Sequence, residues 1–266
     1  MAAMDTTDAL PPVPADLIAL AGRLADAAGA VARRHYRTPV AVDAKADASP
    51  VTIADREVES AIRALLAAER PDDGILGEEH GYHGLDADWV WVIDPIDGTK
   101  SFITGRPLFT TLIGLLHRGV PVLGVIDQPV GGDRWVGHAG GSTLNGRPIR
   151  TRPCPDLASA TFCATAAFGP GAAAPELTAR MVAATRYAVW GGDAYSYGLL
   201  AAGFIDVMVE AGLQPYDWAA LVPVIQGAGG IITDWSGAPL RLGTDGNVIA
   251  AGDARVHTAM RAMVQG

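Results

Sequence analysis

Two short acidic segments are where this sequence could do chemistry. In Trp91-Val92-Ile93-Asp94-Pro95-Ile96-Asp97-Gly98-Thr99-Lys100-Ser101-Phe102, an apolar run stops at a carboxylate, and a second carboxylate follows three residues on, across a proline-stiffened turn. Two acids delivered to one place offer the hard oxygen ligands that a divalent ion such as magnesium prefers, around one ion or bridging two. Gly98-Thr99 opens a short helix, whose first amides could face a bound phosphate. A plain turn capped by Asp94 or Asp97 is the competing explanation for a lone Asp-x-x-Asp-Gly. Against it stands a second acidic pair, in Gly77-Glu78-Glu79-His80-Gly81, directly after the short apolar strand Ile75-Leu76.

The elements that must position these acids follow from periodicity. Apolar residues at helical spacing (Leu17, Leu20, Leu24, Val31) predict a helix over 15–36, and Ile53, Val58, Ile62, Leu65 and Leu66 predict another over 52–69, ended by Pro71, with 45–50 a loop. Strands are expected at 89–93 and within 108–126, broken at Gly119-Val120-Pro121, then at 134–138, with an Asn145-Gly146 hairpin turn after it. Beyond residue 150 the pattern alternates: strand 160–164, helix 175–184, strand 187–190, helix 195–202, strand 205–210, helix 218–227, strand 230–233. The expected organisation is a 1–150 α+β half carrying most of the acids and a 151–266 α/β half.

Composition narrows the class of partner. A chain of 266 residues, 49% hydrophobic, can bury a large core, and a net charge of −9 argues against a nucleic-acid surface. Apolar runs are interrupted well before the roughly 20 residues a membrane span needs, so no membrane partner is expected. Residues 1–14 hold Asp5 and Asp8 and no basic residue, unlike a secretory signal, and the expected compartment is the cytoplasm. Cys154 and Cys163 read as ordinary thiols, and His80, His83, His117, His138 and His257 lack ligand spacing. No Gly-x-Ser-x-Gly elbow supports a nucleophilic serine.

On these residues the chain resembles the inositol monophosphatase family, magnesium-dependent, lithium-sensitive phosphatases related in fold to fructose-1,6-bisphosphatase. Asp94 to Thr99 match the family's Asp-Pro-Ile/Leu-Asp-Gly-Thr signature, and Gly77, Glu78 and Glu79 its Gly-Glu-Glu element. The Trp-Asp element is present in reversed order, Asp217-Trp218, with Gly-Ala-Gly-Gly at 227–230. The resemblance implies a mixed α+β fold, a layered αβαβα sandwich, and a homodimer. It implies that Glu78, Asp94 and the Ile96 carbonyl hold one Mg2+ and Asp94, Asp97 and Asp217 a second, with a third, weaker ion near Glu78 supported by Glu79. Glu78 and Thr99 would orient the attacking water, with Asp55 in the catalytic set. The Gly98 and Thr99 amides would hold the phosphate. Lys45 looks like part of the family's mobile loop and would support the site.

The resemblance implies a small-molecule phosphate monoester as substrate. Where inositol-type members carry a small neutral pair after Gly192, this chain has Asp193, and Glu210 ends a strand aimed at the same region, beside Asp217. Two acids there suit an alcohol that carries positive charge. The segment resembles the histidinol-phosphate phosphatase branch, with Ala194 where that branch usually has Cys. Asp193 as a helix N-cap and Glu210 as a solvated strand end are the structural alternatives. The functional alternatives are a phosphatase of inositol or another sugar or nucleotide phosphate, and a non-catalytic metal- or phosphate-binding regulator.

Overall fold

The computed structural model describes residues 12–39, 42–44, 50–166 and 175–266; Lys45 lies outside them. Helix α1 (Ala15–His35) is followed by a short hairpin, β1 (Val42–Ala44) and β2 (Pro50–Thr52), and then by helix α2 (Ile53–Glu69). Both helices carry the expected apolar stripe. Thr52 is the N-cap of α2: its hydroxyl accepts from the Ala54 amide at 3.1 Å, while the Asp55 carboxylate accepts from the Thr52 amide at 2.7 Å.

Next come β3 (Gly74–Gly77), β4 (Tyr82–His83), β5 (Trp89–Asp97), the five-residue helix α3 (Thr99–Ile103), β6 (Thr110–His117), β7 (Val120–Gln128), β8 (Asp133–His138), β9 (Gly141–Leu144) and β10 (Arg147–Ile149). These strands form one eight-stranded sheet in the order β10-β9-β8-β7-β6-β5-β3-β4, antiparallel except where β3 runs parallel to β5. Asn145 and Gly146, with φ of 51° and 75°, make the tight turn expected between β9 and β10.

The second sheet is built from β11 (Thr161–Ala164), then α4 (Pro175–Ala184), β12 (Tyr187–Trp190), α5 (Asp193–Ala201), β13 (Val207–Glu210), α6 (Pro215–Trp218), α7 (Leu221–Gly227), β14 (Ile231–Asp234), β15 (Val248–Ala251) and α8 (Ala254–Gln265). Its order is β12-β11-β13-β15-β14. Strands β12, β11 and β13 are parallel, but β15 returns antiparallel to both β13 and β14, so the expected run of alternating units is broken at its end.

Side-chain alternation assigns the layers. Trp91 and Ile93 on β5 pack with α1 and α2, whereas Val90 and Val92, pointing the other way, join the core made with α5, α6 and α7. Those three helices lie between the sheets, and α4 and α8 cover the outer face of the second sheet, where Phe162, Val207 and Ile249 pack with Met181, Val256 and Met260. The order of layers is α, β, α, β, α, the expected sandwich.

Three neighbouring glycines set the spacing between the first sheet and the middle layer. Gly114 pairs with Gly124, and Gly124 with Gly137, across β6, β7 and β8. A Cβ on Gly124 would lie 1.9 Å from the Ala220 carbonyl oxygen, and one on Gly137 2.3 Å from Val224 Cα. The backbone of the α6–α7 segment therefore rests directly on the sheet. The helix expected over 218–227 is two pieces, because Pro223 has no amide to bond the carbonyl of Ala219, four residues back. Among the described residues no helix is long and apolar enough to cross a membrane.

Candidate active site

The two signature carboxylates share a face because β5 is irregular. Side chains three residues apart on a regular strand point to opposite faces. Here Asp94 pairs with Leu112 and Asp97 with Thr110, so β5 holds one more residue than β6 between those pairs. That bulge turns Asp97 to the side of Asp94. Strand β5 thus continues to Asp97 instead of stopping at Asp94 as expected, and Pro95, which has no amide to give a ladder, sits inside the bulge. Thr111, buried on β6, fastens the bulge by donating to the Pro95 carbonyl at 2.8 Å.

Asp94 continues the Val90–Val92 face toward the middle layer, and α6 meets it there. Asp217 is in the first turn of α6, where its Oδ2 accepts from the Gln214 amide at 2.7 Å. Carboxylate oxygens of Asp94, Asp97 and Asp217 lie within 4.8 Å of one another. Glu78, after β3, completes the group: its charge is the first after burial in pushing the Asp94 pKa well above the usual carboxylate range, followed by Asp97 and Asp217. Asp97 is likewise raised, by burial first and then by Asp193, while the Ala194 amide, 2.7 Å from its Oδ2, pulls the other way. Asp94 is 2% exposed and its Oδ1 is buried without a hydrogen-bond partner. Carboxylates crowded together in this way cost energy unless a cation lies among them. The donor set fits a hard divalent ion.

The remaining expected residues gather around this cluster. The Thr99 hydroxyl donates to the Ile96 carbonyl at 3.1 Å. Gly98, at φ 80°, takes a left-handed conformation as N-cap of α3, and a Cβ there would meet the Asp193 carboxylate at 2.9 Å. Asp55 is buried in its capping box; burial pushes its pKa up, the bonds with Thr52 oppose that, and Glu78 adds to it.

Asp193 is not a helix cap. Gly192 holds the N-cap position of α5 without a side-chain bond, and Asp193 follows at φ 43°. With Gly191 at 85° and Gly192 at 90°, three successive residues take positive φ, a costly conformation at Asp193 that aims its carboxylate at Gly98. Glu210 is not a solvated strand end either: it is 7% exposed, and burial raises its pKa to about 7. The two acids meet at Thr165, whose amide donates to Glu210 Oε1 at 2.6 Å and whose hydroxyl lies within bonding reach of both carboxylates.

Sequence reasoning missed Thr165, which sits in the loop after β11 with no motif around it. It also missed Glu59, fully buried on α2. A signal existed for that residue: Asp55 and Glu59 stand four apart, on the stripe that also carries Val58, Ile62 and Leu66.

A layered α/β sandwich that gathers carboxylates from strand β5 and helix α6 within reach of one cation has the architecture a metal-dependent hydrolase requires. A sequence profile of the inositol monophosphatase family matches residues 14–265, and the chain belongs to that family, whose members are metal-dependent phosphoric monoester hydrolases. It is 46% identical over 249 residues to the bifunctional phosphatase IMPL2 (chloroplastic) of Arabidopsis thaliana, covering 90% of this chain and 72% of that one. It is 39% identical over 233 residues to a histidinol-phosphatase of Mycobacterium tuberculosis, covering 84% and 88%. In structure it is similar to an inositol monophosphatase from Zymomonas mobilis, with a TM-score of 0.86 at 45% identity over 96% of this chain and 100% of that one.

Proposed function

We propose that this phosphatase uses magnesium and acts on a phosphate monoester whose alcohol part carries positive charge, with histidinol phosphate as the substrate. The observation that carries the reading is the convergence of Asp193 and Glu210 on Thr165, beside Gly98 and the metal cluster. Lys100 and Arg106 offset part of the Asp193 charge, but neither is among the main influences on Glu210, and two partly desolvated acids side by side suit an ammonium and an imidazole. A neutral polyol would leave Glu210 with its Thr165 bonds alone.

Glu78, Asp94, the Ile96 carbonyl, Asp97 and Asp217 are the ligands we assign, for two ions, with a third near Glu78 and Glu79. All are oxygen donors, as magnesium requires. When bound, divalent cations stabilise charge on the transferring phosphoryl group and acidify water. The chain's own part is positional. Thr99 and Glu78 orient the attacking water, and Asp55 backs Glu78 from the first turn of α2. The Gly98 and Thr99 amides hold the phosphate, which fixes the ester so that its alcohol extends toward Gly192, Asp193 and Glu210. We assign a homodimer, for which the edge strand β12 supplies exposed apolar side chains: Tyr187 and Val189 on one face and Trp190 on the other are all more than 40% exposed.

The 45% identity to an inositol monophosphatase supports a second reading, with inositol 1-phosphate as substrate. Phosphate release from histidinol phosphate, inositol 1-phosphate, fructose 1,6-bisphosphate and a 3'-phosphonucleotide, with and without magnesium, separates the two. The expected result is a kcat/KM for histidinol phosphate at least tenfold above the others, lost on chelation. A preference for inositol 1-phosphate sinks the assignment.

A further inference from the structure

Helix α2 buries an acid that the chemistry above does not use. Glu59 has no exposed surface and lies among Val58, Ile62 and Leu66, where a charge is costly unless paired and hydrogen-bonded. Its partners all lead to one loop. Glu59 Oε2 accepts from the Glu79 amide at 2.7 Å, and Oε1 accepts from the His80 amide at 3.3 Å and from Arg63 Nε at 2.7 Å. Arg63 in turn donates through Nη2 to the Gly81 carbonyl, which also receives the Gly77 amide at 3.0 Å. The His80 ring nitrogen lies 3.1 Å from the Ser60 hydroxyl. The 77–81 loop, which carries Glu78, is thereby fastened along its length to α2.

Gly77 is shaped to receive this clamp. A Cβ on it would lie 2.0 Å from Glu59 Oε1. Gly77 is not among the positive-φ residues, so a glycine is needed there for space and not for conformation.

We propose that Glu59, aided by Arg63, is a positioning residue: it holds the 77–81 loop so that Glu78 stands ready for the metal. The inference rests on the metal-dependent reading above. Residues that orient metal ligands typically change affinity by about 10- to 100-fold when altered.

The test measures magnesium binding in two ways on the full chain: magnesium-induced rise in thermal midpoint, and magnesium activation of phosphate release. Glu59→Gln should raise the half-saturating magnesium about tenfold in both, with kcat at saturating magnesium within about threefold of wild type. In a Glu78→Gln background the same substitution should change half-saturation less than about twofold, because the clamp then has no ligand to position. Gly77→Ala, which forces the loop off the Glu59 carboxylate, should reproduce the shift, and it serves as the test should Glu59→Gln not fold. A folded variant with wild-type magnesium half-saturation overturns the proposal, as does a shift that persists undiminished in the Glu78→Gln background. A wild-type protein with no magnesium response in either measurement overturns the metal reading itself, and the two failures are told apart by that control.

Discussion

Replacing Glu210 by Gln should change the pH dependence of this enzyme for a charged substrate and leave it unchanged for a neutral one. Burial, with help from Asp193 and Asp217, raises the Glu210 pKa from 4.5 to about 7, against the Thr165 bonds that lower it. To bind an ammonium or imidazolium, Glu210 must be ionised. Below its pKa, kcat/KM for such a substrate should fall about tenfold per pH unit. Cations bound beside Asp217 draw the pKa down, so the limb is expected between pH 4.5 and 7. Phosphate titration affects every ester alike, so the quantity to follow is the ratio of kcat/KM for histidinol phosphate to that for a neutral-alcohol ester. In wild type the ratio should rise with pH through this window and fall on the alkaline side as the substrate amine deprotonates. In Glu210→Gln the rise should vanish, and the ratio at neutral pH should drop about 10- to 100-fold, one charge-assisted hydrogen bond. Stability gives a second readout without substrate. The folded protein holds this proton more tightly than the unfolded chain, so ionised Glu210 costs stability progressively as pH rises from 4.5 to about 7, by roughly 3 kcal/mol above that. In chelator, Glu210→Gln should therefore be more stable than wild type above pH 7 and little different near pH 4.5. A ratio that is flat from pH 5 to 8 in wild type, or indifferent to the substitution, refutes the role given to Glu210.

Two further substitutions probe the frame of the site. Asp94→Asn should lower kcat/KM at saturating magnesium by at least about a thousandfold, yet raise the melting temperature of the metal-free protein, since it removes a buried charge that Glu78, Asp97 and Asp217 all repel; near-normal turnover would remove Asp94 from the metal ligands. Gly124→Ala should destabilise the fold by about 1–3 kcal/mol in denaturant unfolding, because its methyl group must displace the Ala220 carbonyl. An unchanged unfolding midpoint would show that α6–α7 does not rest on the sheet as described.

The acids of the site were legible because they are local: Asp94, Asp97, Glu78 and Glu79 sit at the ends of apolar runs, and a short pattern records that. How Asp94 and Asp97 come to face the same way was not legible. The Asp-Pro-Ile-Asp segment reads as a turn, and only the pairing with Leu112 and Thr110 reveals a bulged strand. Register is a property of two strands, and no single segment encodes it. The same holds for Thr165, which acquires its meaning from Glu210, 45 residues away. In the second half, alternation correctly located β11, α4, β12 and β13 to within two residues, but an argument built on parallel units passed over β15, a strand that returns antiparallel and is followed by α8, capped by Asp253. Glu59 went unread because the helical period was taken from the apolar residues alone, although an acid on a buried stripe is the more informative observation.

How the acids are anchored has a consequence for the metal-free protein. Asp55, Asp97, Asp217 and Glu210 each accept a backbone amide, from Thr52, Ala194, Gln214 and Thr165 in turn, at 2.6–2.7 Å. Backbone donors at helix starts and loop ends are fixed by the fold, so these carboxylates are held in place whether or not a cation is present. Asp94 differs. It is deeply buried, its Oδ1 has no hydrogen-bond partner, and Glu78, Asp97 and Asp217 all press on it. The cost of assembling the site therefore falls on Asp94 and Asp97 together, and Asp97 has a backbone amide to offset part of it where the Asp94 Oδ1 has no hydrogen-bond partner. On the proposed metal reading, a bound cation would relieve that cost while the backbone bonds keep the other acids in place, as expected of a preorganised site. It follows that metal affinity and metal-free stability should be linked chiefly through Asp94 and Asp97, and more weakly through Asp55, where the bonds with Thr52 oppose the effect of burial.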